Sequence, residues 1–365
     1  MTIPREIDTP DIMIDVDILE RNIARMSAAV REKGLALRPH AKTHKITEIA
    51  ARQMAAGAAG LTVATIGEAE VFSDAGIDDI FIAYPLSLSA QKSERLRRLA
   101  ATATISVGVD STAGATMLGA TLGHAAGSVS VLVEVDSGHH RSGVQPDAAG
   151  TVAEAASRAG LNVAGVFTFP GHSYAPGMPA EAAAQEQQAL RQAAESLAAA
   201  GFEVIRRSGG STPTALLTEG SAATEVRPGV YVFGDAQQLE LGRCAVEDIA
   251  LTVAATVVSH HDTAPDAPGR FIIDAGSKIL GSDRPAWASG FGRLIDHPEA
   301  RITALSEHHA TVECPAGGTL PPIGSRLRVV PNHVCLAINL ADDVAVTRRG
   351  AFVDRWVVAA RGKNR

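Results

Sequence analysis

Apolar runs and alanine-rich, helix-compatible stretches alternate along the first two thirds of the chain. The apolar runs fall at 35–38, 61–65, 79–84, 104–109, 129–135, 163–169, 203–206 and 230–233. Most gaps between them hold a helical pattern, at 46–56, 67–75, 89–100, 111–120, 147–159 and 180–200. Strands alternating with helices predict a parallel sheet with helical crossovers. Eight such runs is the count of a (β/α)8, TIM-like barrel; a doubly wound open sheet shares this periodicity. Ahead of the rhythm, 11–15 reads as a short strand, and Ile18, Leu19, Ile23, Met26 and Val30 mark a helix over 16–32.

The pattern changes near residue 240. From Cys244 onward there is no long helical period, only β-like runs at 249–258, 270–274, 301–305, 309–313, 326–330 and 334–340 with Gly and Pro between them. This predicts an α/β chain in two parts: a barrel over 16–240, then an all-β domain over 241–365.

Composition narrows the class. The 365 residues are 46% hydrophobic and 20% charged, a globular balance. A net charge of -7 and the lack of a basic stripe argue against nucleic acid. No apolar run approaches the roughly 18 residues that span a bilayer, and Met1 to Asp11 carries charges and no apolar core, so no secretory signal is expected. Three scattered cysteines make no disulfide framework. A cytoplasmic protein is the expectation.

In a barrel the chemistry follows the strand ends. After the first run comes Arg38-Pro39-His40-Ala41-Lys42-Thr43-His44-Lys45. A lysine desolvated there among cations has a lowered pKa and suits imine formation; a plain basic turn explains the cluster about as well. After 129–135 comes Asp136-Ser137-Gly138-His139-His140-Arg141-Ser142-Gly143, and after 163–169 comes Pro170-Gly171-His172-Ser173-Tyr174. An imidazole ordinarily titrates near pH 6.5, so His172 suits general acid–base work. After 203–206, Gly209-Gly210-Ser211-Thr212 offers close backbone N–H groups and hydroxyls to a phosphate, though such turns are common. In the β part, His333 and Cys335 stand two apart; on an extended strand both side chains face one way. A lone H-x-C is weak evidence for a metal. No G-x-G-x-x-G follows the first strand, which counts against a Rossmann dehydrogenase.

Taken together, these motifs resemble the D-threonine aldolase and D-serine dehydratase family, fold-type III pyridoxal-phosphate enzymes related to alanine racemase. The resemblance runs from about residue 10 to 340 and keeps the family's motif order. It implies that the strand at 10–15 joins the β domain, and that Lys42 carries pyridoxal 5'-phosphate as an imine. His40, Arg141 and Tyr174 would lie by the cofactor. Gly210, Ser211 and Thr212, with Gly229 and Tyr231, would form the phosphate cup. His172 would exchange a proton with the substrate's β-hydroxyl. His333 and Cys335 would bind a divalent metal. Thiolate favours zinc, whereas the aspartate found in aldolase members favours manganese or magnesium. The implied activity is a lyase on D-β-hydroxy-α-amino acids: dehydration of D-serine or D-3-hydroxyaspartate to a 2-oxo acid and ammonia, or retro-aldol cleavage to glycine and an aldehyde. Cys335 favours dehydration. A pyridoxal-phosphate carrier and a racemase are further alternatives; all three tyrosines precede residue 240, which counts against the racemase's second base. A homodimer is implied.

Overall fold

The computed structural model describes residues 3–261 and 268–365. By contacts the chain divides into two units. One comprises Met1–Ile23, Thr43–Ile46 and Val230–Arg361; the other comprises Ala24–Lys42, Thr47–Gly229 and Gly362–Arg365. The expected boundary at 240 marks where helical periodicity stops; the contact boundary falls at Gly229.

The first strand, β1 (Asp11–Asp15), and most of the later ones belong to the first unit. The second unit is built on β2 (Ala36–Leu37), β3 (Leu61–Val63), β4 (Asp79–Pro85), β5 (Thr104–Val109), β6 (Val129–Glu134), β7 (Asn162–Phe167), β8 (Arg206–Gly209) and β9 (Glu225–Val226). They pair in parallel in the order β2-β9-β8-β7-β6-β5-β4-β3. A parallel bridge from His40 to Thr62 joins the two ends and closes the barrel, with the Thr62 N–H donating to Pro39 O at 2.8 Å. Closure rules out the open-sheet alternative. The strand runs are aliphatic and fully buried on both faces, as at Val129, Val131, Leu132 and Val133, which is what a strand covered on both faces requires.

Helices α1 (Val16–Glu32), α2 (Thr47–Ala55), α3 (Ile66–Asp74), α4 (Ala90–Thr102), α5 (Thr112–Leu122), α6 (Ala149–Arg158) and α7 (Pro179–Ala199) follow the expected spans. Ser111 caps α5 and Thr65 caps α3, each side chain accepting a backbone N–H from three residues on. Along α7 the buried set includes Ala182, Ala183, Glu186, Ala189, Leu190, Ala193 and Leu197, a helical stripe.

The last barrel strand differs from expectation. It is Glu225–Val226, while Val230–Val232 is a 3-10 turn. The pattern was masked by charge. Glu225 is buried in the barrel between Arg38, whose Nε donates to it at 3.0 Å, and Arg206, whose terminal nitrogen donates at 2.8 Å. Arg38 also grips Asp79 at 2.7 and 3.0 Å. Asp79, Arg206 and Glu225 open β4, β8 and β9, so this network fills the end of the barrel away from the strand C-termini.

In the first unit, α8 (Ala236–Glu240), α9 (Ser277–Leu280) and α10 (Val334–Leu340) accompany a largely antiparallel sheet. Its strands are β10 (Leu251–His261), β11 (Pro268–Ile273), β12 (Gly292–Leu294), β13 (Arg301–Leu305), β14 (Ala310–Ala316), β15 (Arg326–Pro331), β16 (Asp343–Arg348) and β17 (Ala351–Val357). β1 lies inside it, antiparallel to β10 and parallel to β16. One β-like run is corrected: 334–340 is helix α10. Val334, Ala337 and Ile338 are its buried residues, at helical spacing, and an all-apolar run of that length carries no period to separate helix from strand.

Candidate active site

The strand-end segments of the barrel unit gather on one residue absent from the sequence-based set, Phe169. Lys42, on the 3-10 turn Ala41–Thr43, places Nζ 5.7 Å from the centre of that ring. Arg141 places its guanidinium carbon 5.0 Å from it. His139 meets it edge-on at 5.5 Å and Tyr174 tilts against it at 6.3 Å. An aromatic face draws cations together without neutralising them.

Asp136 sorts the two adjacent histidines. Its carboxylate accepts the N–H of Gly138 at 2.9 Å, the N–H of His140 at 3.0 Å and His140 Nδ1 at 2.6 Å, which holds His140 outward in a left-handed conformation with φ of 56°. His139 turns inward. Burial, then Arg141 and His172, push its pKa down. Arg141 stands 3.8 Å from the buried Glu134 carboxylate.

His172 sits on the 3-10 turn Gly171–Tyr174, with Nε2 2.8 Å from Gln185 Oε1 of α7. Its neighbour Ser173 shares a 3.0 Å hydroxyl contact with Ser211, which joins this turn to the glycine-rich one. The next residue of α7, Glu186, accepts the N–H of Gly210. Glu186 is fully buried, and burial pushes its pKa up to about 7 against the pull of Gly210, Arg227 and Thr214. Gly210 has φ of 77°, and a Cβ there would meet Val226 Cβ at 2.7 Å, so only glycine fits. Ser211 is buried, its N–H donating to Thr214 Oγ1 at 2.9 Å. Thr212 follows on the same turn and Gly229 lies in the same unit. This set suits an aromatic phosphate ester: an amine, a cation and aromatic rings from the ends of β2, β6 and β7 meet at Phe169, and small residues and hydroxyls follow β8. His40 serves the barrel closure, its N–H donating to Pro228 O at 3.0 Å.

The other expected residues lie in the first unit. Tyr231 is buried in the turn Val230–Val232. His333 is the residue preceding α10 and Cys335 lies in its first turn, so the pair stands at a helix start and not on a strand. His333 Nδ1 contacts Asp283 Oδ2 at 2.6 Å, and the Cys335 thiol is within hydrogen-bond reach of the same imidazole. That thiol also donates to Thr43 Oγ1 at 3.4 Å. Burial alone lowers the pKa of His333, but Cys335 and Asp283 outweigh it and hold it well above the ordinary value. Among the described residues no group of three His, Cys, Asp or Glu side chains converges on a metal-sized site. Two protein ligands leave positions for water and substrate, as catalytic sites do, and the Asp283 carboxylate behind the imidazole is the usual outer partner of a metal-bound histidine. The donor set therefore fits a divalent ion. Lys45 is buried before α2 with φ of 55° and donates to Asn339 Oδ1 at 2.7 Å.

The alanine racemase N-terminal domain matches residues 14–237 and a putative serine dehydratase domain matches 250–347. A D-threo-3-hydroxyaspartate dehydratase from Delftia is 38% identical, covering 90% of this chain and 91% of that one. The chain belongs to the D-threonine aldolase and D-serine dehydratase family of pyridoxal-phosphate-dependent lyases. A D-threonine aldolase from Arthrobacter is 34% identical over 98% of this chain and 94% of its own. Among solved structures, the Delftia dehydratase superposes with a TM-score of 0.86 at 34% identity, covering 96% of this chain and 97% of that one. A D-threonine aldolase from Filomicrobium marinum also gives 0.86, at 32% identity over 98% and 96%. The dehydratase has also been solved with alanine for a histidine, and with alanine for a cysteine two positions on, the latter in a metal-free form. Alanine racemase from Bacillus anthracis shares the fold, at 14% identity and a TM-score of 0.69. Among the described residues no helix is long and apolar enough to cross a membrane.

Phe169, His139, Gln185, Glu186 and Asp283 were missed. Phe169 was counted as strand interior, and the pair on α7 was hidden in an alanine-rich stretch read as an ordinary amphipathic helix.

Proposed function

We propose that this lyase dehydrates a D-configured β-hydroxy-α-amino acid, D-serine or D-3-hydroxyaspartate, to a 2-oxo acid and ammonia. The observation that carries the reaction type is Cys335 beside His333. A thiolate with an imidazole selects zinc over manganese or magnesium. Lys42 Nζ would hold the pyridoxal phosphate and, as a free amine, would take the proton from Cα. The cofactor, when bound, supplies the sink for the electron pair left there. The ion, when bound, supplies Lewis acidity toward the β-hydroxyl. Asp283 orients His333 for the ion. Gly210, Ser211, Thr212 and Gly229, with Tyr231, would hold the phosphate, and Arg141 and Tyr174 would hold the ring end. A homodimer in the cytoplasm, implied by the resemblance, belongs to the same proposal.

A second reading, retro-aldol cleavage, is favoured by His172. Its Nδ1 is buried with no hydrogen-bond partner among the described residues, which suits a base that takes the β-hydroxyl proton. Purified enzyme given D-serine, D-threonine and D-threo-3-hydroxyaspartate separates the two. Ammonia with a 2-oxo acid, abolished by EDTA and restored by zinc, supports dehydration. Glycine with an aldehyde replaces it by the aldolase reading. Neither product from any of the three sinks both.

A further inference from the structure

The arrangement behind His172 goes one step deeper, and rests on His172 being the proton-exchanging residue. Glu181 and Gln185 stand one turn apart on α7. The Gln185 amide nitrogen donates to Glu181 Oε1 at 3.1 Å. An ionised carboxylate only accepts, so the amide cannot turn its oxygen that way. Its oxygen is thereby aimed at His172 Nε2, 2.8 Å away. A carbonyl oxygen also only accepts, so Nε2 carries the proton. Nδ1 keeps its lone pair, and it is the ring atom that is buried with no partner among the described residues. A third segment guards this bond. A Cβ on Gly138 would come within 3.0 Å of Gln185 Oε1 and 3.3 Å of His172 Cε1, and Gly138 has φ of 113°. Only glycine clears both constraints.

We infer that Gln185, locked by Glu181, is a positioning residue that presents His172 as a neutral imidazole with Nδ1 as its proton acceptor. The amide is uncharged. It fixes the tautomer without stabilising the imidazolium, as a carboxylate in the same place would. Of the other titratable or charged groups, His139 lies close enough to interact with His172, Arg141 and Lys42 gather at the Phe169 ring, and Glu181 is one hydrogen bond removed. In the retro-aldol reading one O–H bond of the substrate breaks and one N–H bond forms at Nδ1 as the Cα–Cβ bond opens, and the proton is returned to product or water on release; in dehydration the same atom would return a proton to the leaving oxygen.

The test uses cofactor-loaded, metal-loaded enzyme. Nitrogen-15 NMR of histidine-labelled protein, with His172→Ala identifying the resonance, should show Nε2 protonated and Nδ1 not; the opposite tautomer overturns the proposal. Gln185→Glu keeps the hydrogen bond and adds a charge. It should move the acid limb of the kcat profile upward by about one pH unit or more, with KM little changed. Gln185→Leu should lower kcat roughly 10- to 100-fold without that upward shift. Profiles that superimpose on the wild type in both variants refute the positioning role. Full activity in His172→Ala refutes the underlying reading of His172, and the NMR result then judges the tautomer on its own.

Discussion

Two histidines in this chain are backed in opposite ways. His172 leans on a neutral amide, Gln185 Oε1 at 2.8 Å. His333 leans on a carboxylate, Asp283 Oδ2 at 2.6 Å, with a thiol beside it. The backing decides the use. An amide fixes a tautomer and leaves the imidazole free to take a proton. A carboxylate raises the basicity of the ring and orients the far nitrogen toward a cation. One chain thus holds an imidazole suited to protons and another suited to a metal, and residue type alone would not separate them.

The largest effect expected is from neither histidine. Lys42→Ala should abolish turnover and the visible absorption of the lysine-bound cofactor, since it removes the amine that stands by the Phe169 ring. Next, Cys335→Ala and His333→Ala should each strip the metal, read as zinc per protomer after dialysis, while His172→Ala keeps it. Loss of metal in His172→Ala would break the contrast. A smaller change sharpens it: Asp283→Asn keeps the shape but removes the charge, and should weaken metal affinity about 10- to 100-fold in a competition titration with a chelator. Wild-type affinity there would mean that Asp283 is a surface partner only.

Part of the fold was legible from the apolar runs: Lys42 and His172 each come after a run that holds a barrel strand. The expected run 203–206 was displaced, since β8 is Arg206–Gly209 and Ile205 is exposed, yet Gly210-Ser211-Thr212 still follows that strand. What was not legible has a common cause. Glu225 put a charge where a barrel strand was sought, and its two arginine partners lie 187 and 19 residues away. Val334 to Leu340 is apolar throughout, so it offered no period. Gln185 and Glu186 look like solvent-facing positions of an alanine-rich helix until the fold brings β7 and β8 beneath them.

The barrel holds a parallel pair of glutamates, and here the contrast becomes one of pH. Glu225, between Arg38 and Arg206, is held at about 2 despite its burial. Its folded pKa is depressed, so its stabilisation is present above the ordinary glutamate value and is lost as pH falls toward about 2. Glu225→Gln breaks a buried charge cluster and should cost about 3–5 kcal/mol at neutral pH, read by denaturant unfolding. Glu186 has the opposite sign. Its folded pKa is raised to about 7, so the stability it contributes is full below the ordinary value and is lost as pH rises through about 7. Glu186→Gln stays neutral throughout and still accepts the Gly210 N–H. It should leave the melting temperature at pH 5 nearly unchanged and flatten the decline between pH 5 and 8. A wild-type slope in that variant would mean that Arg227 compensates the carboxylate fully, and that the Gly210 turn rests on a permanent charge.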